Sequence, residues 1–283
     1  MSNNERMLLI AALLWGFSAP LNKIILQSTS ELTFIWVRFL AAAIILTIVF
    51  WKKLKSADLK TIKYGLLLGG ITATGALLEL SATRIMNPAK LYFIISIEAV
   101  VIPYLAYVIY RQKTSKKEII SAIIASIGLI VINMNGSNIV LGWGEMLAIM
   151  CTFVYSFNVV FMSKNNKKYD NILITIFLMY GAGITGLILN LITYGTNMAV
   201  KPEGIGYIII SIIFMTLIPF VLETKAFRDI SPTRAGIIYS LIPIFALVAV
   251  MIFLQDFLTI QGYIGSAIIF SALIYSNTRK IKA

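Results

Sequence analysis

Ten stretches of this chain, each roughly 17 to 25 residues long and nearly free of charge, fix what it can fold into. A bilayer hydrocarbon core about 30 Å thick is crossed by about 20 apolar residues in helix. The stretches lie at 7–26, 32–51, 62–83, 89–110, 118–134, 145–162, 171–194, 205–224, 235–254 and 260–276, and are numbered here as segments 1 to 10. They are too long, and alternate too little, to be strands of a membrane barrel. The connections are short and leave no room for a domain outside the membrane. The predicted fold is therefore an all-α integral membrane protein of ten transmembrane helices. The first run, Met7 to Leu26, carries Pro20, Asn22 and Lys23 and lacks a small-residue cleavage site, so it reads as a membrane span and not as a cleavable signal.

Composition excludes several function classes. Only 13% of the residues are charged, against about 25% in an ordinary soluble domain. The net charge of +12 does not make a nucleic-acid surface, because the basic residues form short islands between apolar runs. Cys151 is the single cysteine and there is no histidine, which removes disulfide frameworks, His-based metal sites and Ser-His-Asp chemistry. No P-loop is present. An integral-membrane enzyme would need a polar catalytic cluster within the apolar segments, and none is found. No cofactor and no metal are expected; the partners are a small-molecule solute and membrane lipid, with no nucleic acid, in a monomer or homodimer.

The basic islands also orient the chain, since Lys and Arg collect on the cytoplasmic side. One side holds nineteen of them: Arg6, Lys52, Lys53, Lys55, Lys60, Lys63, Arg111, Lys113, Lys116, Lys117, Lys164, Lys167, Lys168, Lys225, Arg228, Arg234, Arg279, Lys280 and Lys282. The other side holds four, Lys23, Arg84, Lys90 and Lys201. Both termini are thus expected in the cytoplasm, and the location is the plasma (inner) membrane.

A repeat divides the chain. Residues 79–90, ELSATRIMNPAK, align with 223–234, ETKAFRDISPTR, 144 positions later. Glu79/Glu223, Ala82/Ala226, Arg84/Arg228 and Pro88/Pro232 are identical; Asn87/Ser231 and Lys90/Arg234 match in kind. Trp15 and Tyr155 correspond at 140 positions, Ser96 and Ser240 at 144. Each half, 1–136 and 137–283, has five segments, an odd number, so the second copy runs through the membrane in the opposite sense. Inverted repeats of this kind belong to secondary transporters, with the substrate near the midplane between the halves.

Several stretches carry a family resemblance: LLWGFSAPLNK (13–23), VRFLAAAIIL (37–46), SIEAVVIPYLAY (96–107), GEMLAIMCTFVYSFNVVFMSK (144–164) and SLIPIFALVAVMIFLQDFLT (240–259). Together they resemble the drug/metabolite transporter superfamily, of the EamA-domain ten-helix type, over essentially the whole chain. Ala99 replaces the proline of that family's Glu-Pro phrase, and Ile242 stands where its second glutamate is usual. The Gly-Glu expected after segments 4 and 9 is Arg111-Gln112 and Gln255-Asp256 here, which places that position outside the transport chemistry. The resemblance implies a solute transporter working by alternating access.

Charges at bilayer depth cost about 2.5–3.5 kcal/mol each on insertion scales and need a reason to be there. Arg38 and Glu98 lie at similar depths, and two readings stand. They hold a zwitterionic solute, carboxylate on Arg38 and amine on Glu98, or they form a fixed structural pair. The resemblance leaves both open, because the family uses this arginine and glutamate across unlike substrates. Glu79 and its mate Glu223 lie near the ends of their segments, where gating, structural and substrate roles compete. Lys23, also near an end, can reach the headgroups. Trp15, Tyr92, Tyr155 and Tyr239 offer flat walls with polar tips, beside Ser18, Asn158 and Ser240. Pro20, Pro103, Pro219 and Pro243 are candidate bend points. Gly69, Gly70, Gly75, Gly181, Gly183 and Gly186 allow close helix contact. An amino-acid or amine-type solute, moved outward, is the leading expectation; a choline-like or drug-like cation caged by glutamates and aromatics is the alternative.

Overall fold

The computed structural model describes residues 2–111, 116–135, 138–139, 141–230 and 232–277. Gln112, Lys113, Ser231, Arg279, Lys280 and Lys282, named above, lie outside the described residues, as do the side chains of Lys167, Pro232 and Arg234. Helix runs through all ten apolar segments, and seven of these are long and apolar enough to cross a membrane. Those seven are Asn3–Ile25, Glu31–Val49, Leu59–Ile85, Pro88–Tyr110, Trp143–Asn165, Asn171–Tyr194 and Pro202–Ala226, which are segments 1–4 and 6–8. Segments 5, 9 and 10 give the shorter apolar helices Ile119–Ile132, Ile242–Phe253 and Ile260–Ala272. A two-residue ladder, Met134–Asn135 against Asn138–Ile139, lies between the two halves.

Polar residues between the apolar runs start the helices. The side chains of Ser2, Ser30, Asp58, Asn87 and Asp170 each accept a backbone N–H from the first turn of the helix they precede. Glu145 accepts the N–H of Gly142 at 2.9 Å in the same way. Pro88 and Pro202 stand at first helical positions, where no N–H is needed.

Segments 3 and 7 touch backbone to backbone. A Cβ on Gly69 would lie 2.2 Å from the Leu178 carbonyl oxygen, and one on Gly181 would lie 2.4 Å from that of Leu66. Segments 5 and 10 pack against each other at the other side of the bundle. Large apolar side chains such as Ile44, Ile48, Ile184, Ile188 and Ile192 point outward, a surface suited to hydrocarbon.

Three segments are interrupted. Segment 4 consists of Pro88–Ile95 and Glu98–Tyr110, joined by a turn at Ser96–Ile97. Segment 9 consists of Pro232–Tyr239 and Ile242–Phe253, joined at Ser240–Leu241. The two joints lie 144 positions apart, and in both the second residue bonds three residues back, Ile97 to Ile94 and Leu241 to Ile238. Segment 8 widens into a π-helix over Ser211–Leu217 before Ile218–Ala226. The prolines expected as bends are only partly at these places. Pro219 follows the π-turn and Pro243 follows the joint of segment 9, but Pro20 and Pro103 lie inside continuous helices. A proline ring crowds the carbonyl four residues back, Met215 in the case of Pro219, and the wider turn gives that ring room.

A second matched pair closes the interrupted helices. Arg111 and Gln255, again 144 apart, have φ of 56° and 50°, and are the non-glycine residues with positive φ among the described residues. The left-handed conformation costs an L-residue about 1–2 kcal/mol, and glycine is its usual occupant at a helix end. The backbone at both positions thus has the geometry that a glycine adopts without strain.

Two adjacent glycines test the helix crossing. Gly69→Ala is expected to destabilise by about 1–3 kcal/mol through overpacking. Gly70, whose Cβ would meet only Thr185 Oγ1 at 3.7 Å, is expected to accept Ala with no loss. Thermal unfolding of the purified protein in detergent measures both, and equal effects would contradict the crossing.

Candidate functional site

Two buried apolar clusters, one drawn mainly from segments 1–3 and 6–9 and one from segments 4, 5, 9 and 10, meet around a cavity of about 120 Å³. Segments 1, 2, 3, 4, 6, 8 and 9 supply its wall. Among the expected site residues, Trp15, Ser18, Arg38, Glu79, Tyr92, Glu98, Tyr155, Asn158 and Tyr239 all line it, as does Pro243. Ser240 is off the wall, in the joint of segment 9, whereas its mate Ser96 is on it. Pro20, Pro103 and Pro219 are also off the wall.

Four ionisable side chains of opposite sign share this space, and their surroundings differ. Glu79 is held by three neighbours. The Tyr155 hydroxyl lies 2.6 Å from its Oε2, the Tyr92 hydroxyl 2.7 Å from its Oε1, and Asn22 Nδ2 donates to Oε1 at 3.2 Å. Tyr155 belongs to the second half of the chain, so this contact ties the halves together. The ring of Tyr155 lies where a side chain on residue 75 would stand, with Cε1 2.3 Å from a Cβ built on Gly75. Gly75, one turn before Glu79, is therefore what lets the hydroxyl arrive. Glu223, the repeat mate of Glu79, accepts from the Tyr239 hydroxyl at 2.6 Å.

Arg38 and Glu98 are uncommitted. Among the described residues neither has a hydrogen bond or an ion pair to protein, and they are not paired with each other. The Arg38 guanidinium lies 4.8 Å from the ring centroids of both Phe34 and Phe39, and its Nε is buried without a partner. A cation in that setting is stabilised by ring faces but keeps its donors free for an acceptor in the cavity. Of the two arrangements the sequence left open, the fixed pair is not the one observed; the two charges face one cavity.

The remaining wall is largely apolar and aromatic. Trp15 meets Phe220 and Tyr239 edge-on at 5.6 Å each, and Phe220 meets Phe39 at 5.7 Å. Phe39, Val159, Met162, Met215 and Phe220 were not legible as site residues, since nothing in their spacing separates a cavity-facing apolar residue from a lipid-facing one. Asn22 and Thr72 were missed as well; Thr72 Oγ1 accepts from Asn158 at 2.8 Å. Glu223 was legible through the repeat.

Polar ties close the end of the bundle that carries the 1–2 and 3–4 connections. Lys23 does not reach outward but donates to the carbonyls of Thr83 and Arg84 at 2.6 and 3.0 Å, capping segment 3. Arg84 pairs with Glu31 and also bonds the carbonyls of Leu26 and Thr29. Lys90 pairs with Glu145 at 2.8 Å, linking segment 4 to segment 6. Among the described residues no group of acidic or cysteine side chains is arranged to hold a metal ion.

The profile of the EamA-like transporter family matches the chain twice, at residues 5–134 and 142–278. The chain belongs to the EamA-like transporter family. It is a multi-pass membrane transporter of that family. It is 23% identical over 273 residues to an uncharacterized transporter of Archaeoglobus fulgidus, covering 96% of this chain and 85% of that one. A similar uncharacterized transporter of Methanothermobacter thermautotrophicus is 24% identical over 281 residues, covering 91% and 81%. A solved crystal structure superposes with a TM-score of 0.72 at 14% identity, over 100% of this chain and 99% of the other, and so shares the fold.

The Glu79 contacts predict a measurable cost. Tyr155→Phe is expected to lower stability by about 1–2 kcal/mol, because a buried hydrogen bond to an acidic group is lost. Tyr104→Phe, on an exposed tyrosine of segment 4, is expected to change nothing. Thermal unfolding of the two variants in one detergent makes the comparison; equal shifts would contradict a special role for Tyr155.

Proposed function

We propose that this member of the family is a secondary transporter for a small zwitterionic solute of amino-acid type, moved across the plasma membrane by alternating access. The observation that carries the reading is the pair of uncommitted opposite charges, Arg38 and Glu98, on one cavity. A solute carboxylate accepts from Arg38, its ammonium group donates to Glu98, and its apolar part lies against Phe39, Phe220 and Met215. Each of the two left unmet is a buried ionisable group without a protein partner among the described residues, which favours a solute that engages both.

The proposal includes ten membrane crossings in two inverted halves, 1–136 and 137–283, with both termini in the cytoplasm. The twofold family match, the joints at Ser96 and Ser240 and the left-handed pair Arg111 and Gln255 support the two-half reading. The count of basic residues on the two sides supports the orientation. Rocking of one half against the other exchanges the open face of a cavity that lies between them.

One observation favours a second reading, transport of an organic cation. Three carboxyl groups, Glu79, Glu98 and Glu223, face a single guanidinium beside an aromatic wall. Reconstitution into liposomes with labelled L-leucine, L-glutamine and choline separates the two. The zwitterion reading expects amino-acid transport that falls at least about tenfold in both Arg38→Gln and Glu98→Gln, a loss of roughly 1.4 kcal/mol or more in binding. Choline transport that survives Arg38→Gln would establish the cation reading instead, and amino-acid transport that survives both substitutions would remove the paired-charge site.

A further inference from the structure

The two halves line the cavity with repeat mates, and the mates do not all carry the same chemistry. At 140 positions Trp15 is matched by Tyr155, Ser18 by Asn158 and Asn22 by Met162. At 144 positions Ala76 is matched by Phe220, Glu79 by Glu223 and Glu98 by Ile242, and each of these residues faces the cavity. The backbone keeps the same registers. Glu5 and Glu145, 140 apart, accept the N–H groups of Ser2 and Gly142 at the starts of segments 1 and 6. Glu98 and Ile242 are each the first helical residue after the joints of segments 4 and 9.

The pairs fall into two kinds. An aromatic ring, a small polar group and a carboxyl group recur at Trp15/Tyr155, Ser18/Asn158 and Glu79/Glu223. Elsewhere the second half is apolar or bulky where the first is polar or small. Met162 replaces an amide, Ile242 a carboxyl group and Phe220 a methyl group. Ile95 and Tyr239 run the other way, but the Tyr239 hydroxyl is spent on Glu223. Arg38 has Leu178 as its mate, wholly buried and off the wall, so this position brings no second guanidinium to the cavity. Phe39 joins the two ends: its ring centroid lies 4.8 Å from the Arg38 guanidinium and 5.7 Å from the ring of Phe220.

We propose that Ile242 is a specificity-determining residue, which makes the second-half side of the cavity an apolar subsite and confines charge recognition to the first half. The inference deepens the zwitterion reading and rests on it and on the two-half arrangement. Mates of inverted repeats face each other across the axis between the halves. Arg38 and Glu98 therefore take the charged head of the solute on one side, and Ile242, Met162 and Phe220 take its tail on the other. A polar or charged tail placed there loses its water and finds no partner on these three residues. The solute class is thus a neutral amino acid with an aliphatic or thioether side chain, and amide or charged side chains are refused.

Titration calorimetry on the purified protein with L-leucine and L-asparagine tests the subsite, because the two side chains have nearly the same shape and differ in polarity. Wild type is expected to bind L-leucine tighter by about tenfold or more. Ile242→Gln is expected to bring the two within about threefold of each other, by giving the amide a partner. Ile242→Ala keeps the subsite apolar but lengthens it, so L-phenylalanine is expected to gain about threefold or more on L-leucine. An L-leucine preference that Ile242→Gln leaves intact overturns the proposal. Where the glutamine variant does not fold, the alanine variant decides, and an unchanged ratio of L-phenylalanine to L-leucine overturns it. Wild type that binds neither L-leucine nor L-asparagine removes the zwitterion reading. Trimethylpropylammonium and choline, again alike in shape, then decide for Ile242. A preference for trimethylpropylammonium that Ile242→Gln removes supports the apolar subsite, and wild type without a preference in either pair overturns it.

Discussion

An ionisable side chain carried to the depth of a bilayer has to be satisfied by protein, because no solvent is there to do it. The interior of this chain is organised around that constraint. Glu79 is surrounded by Asn22, Tyr92 and Tyr155, and Glu223 is met by Tyr239. Arg38 is lodged between two phenylalanine rings, and Glu98 stands at the cavity with no protein partner among the described residues. Two of the four are met by hydrogen bonds from the protein itself, and two have none among the described residues. That division is the basis of the proposed solute site, and a list of charged residues in apolar segments does not contain it.

The repeat supplies the framework in which this division can be used. Its halves agree in backbone: the joints at Ser96 and Ser240 and the left-handed ends at Arg111 and Gln255 recur at the same spacing as the paired sequence phrases. They disagree in side chains. Tyr155 of the second half reaches Glu79 of the first, whereas Trp15, the mate of Tyr155, meets Phe220 and Tyr239 edge-on near Glu223. Equivalent positions thus make a hydrogen bond at one end of the cavity and aromatic contacts at the other.

Much of this was legible in the sequence, for reasons that are physical. Apolar length revealed the helices, and the cost of charge in hydrocarbon singled out Arg38, Glu98 and Glu79. The repeat added Glu223 and the matched serines. What stayed hidden depended on direction and distance. Hydropathy has the same sign for Phe39 or Met215 on the cavity as for Ile44 or Ile192 on the outer surface, so the apolar wall could not be read. The partners of Glu79 come from segments 1, 4 and 6, and only the fold brings them together. Pro20 and Pro103 lie within continuous helix, while the joints fall at serines. Lys23, for which headgroup contact and a structural or gating role both stood open, turns back onto the carbonyls of segment 3.

The central claim is that the cavity demands both charges of its solute at once. Titration calorimetry on the purified protein, comparing L-leucine with 3-methylbutylamine and 4-methylpentanoate, addresses it directly, since each analogue keeps the apolar part and one charged group. L-leucine is expected to bind, with both single-charge analogues weaker by about tenfold or more, as loss of one charge-assisted contact implies. An amine that binds as tightly as L-leucine would contradict the claim, because Arg38 would then play no part in holding the solute.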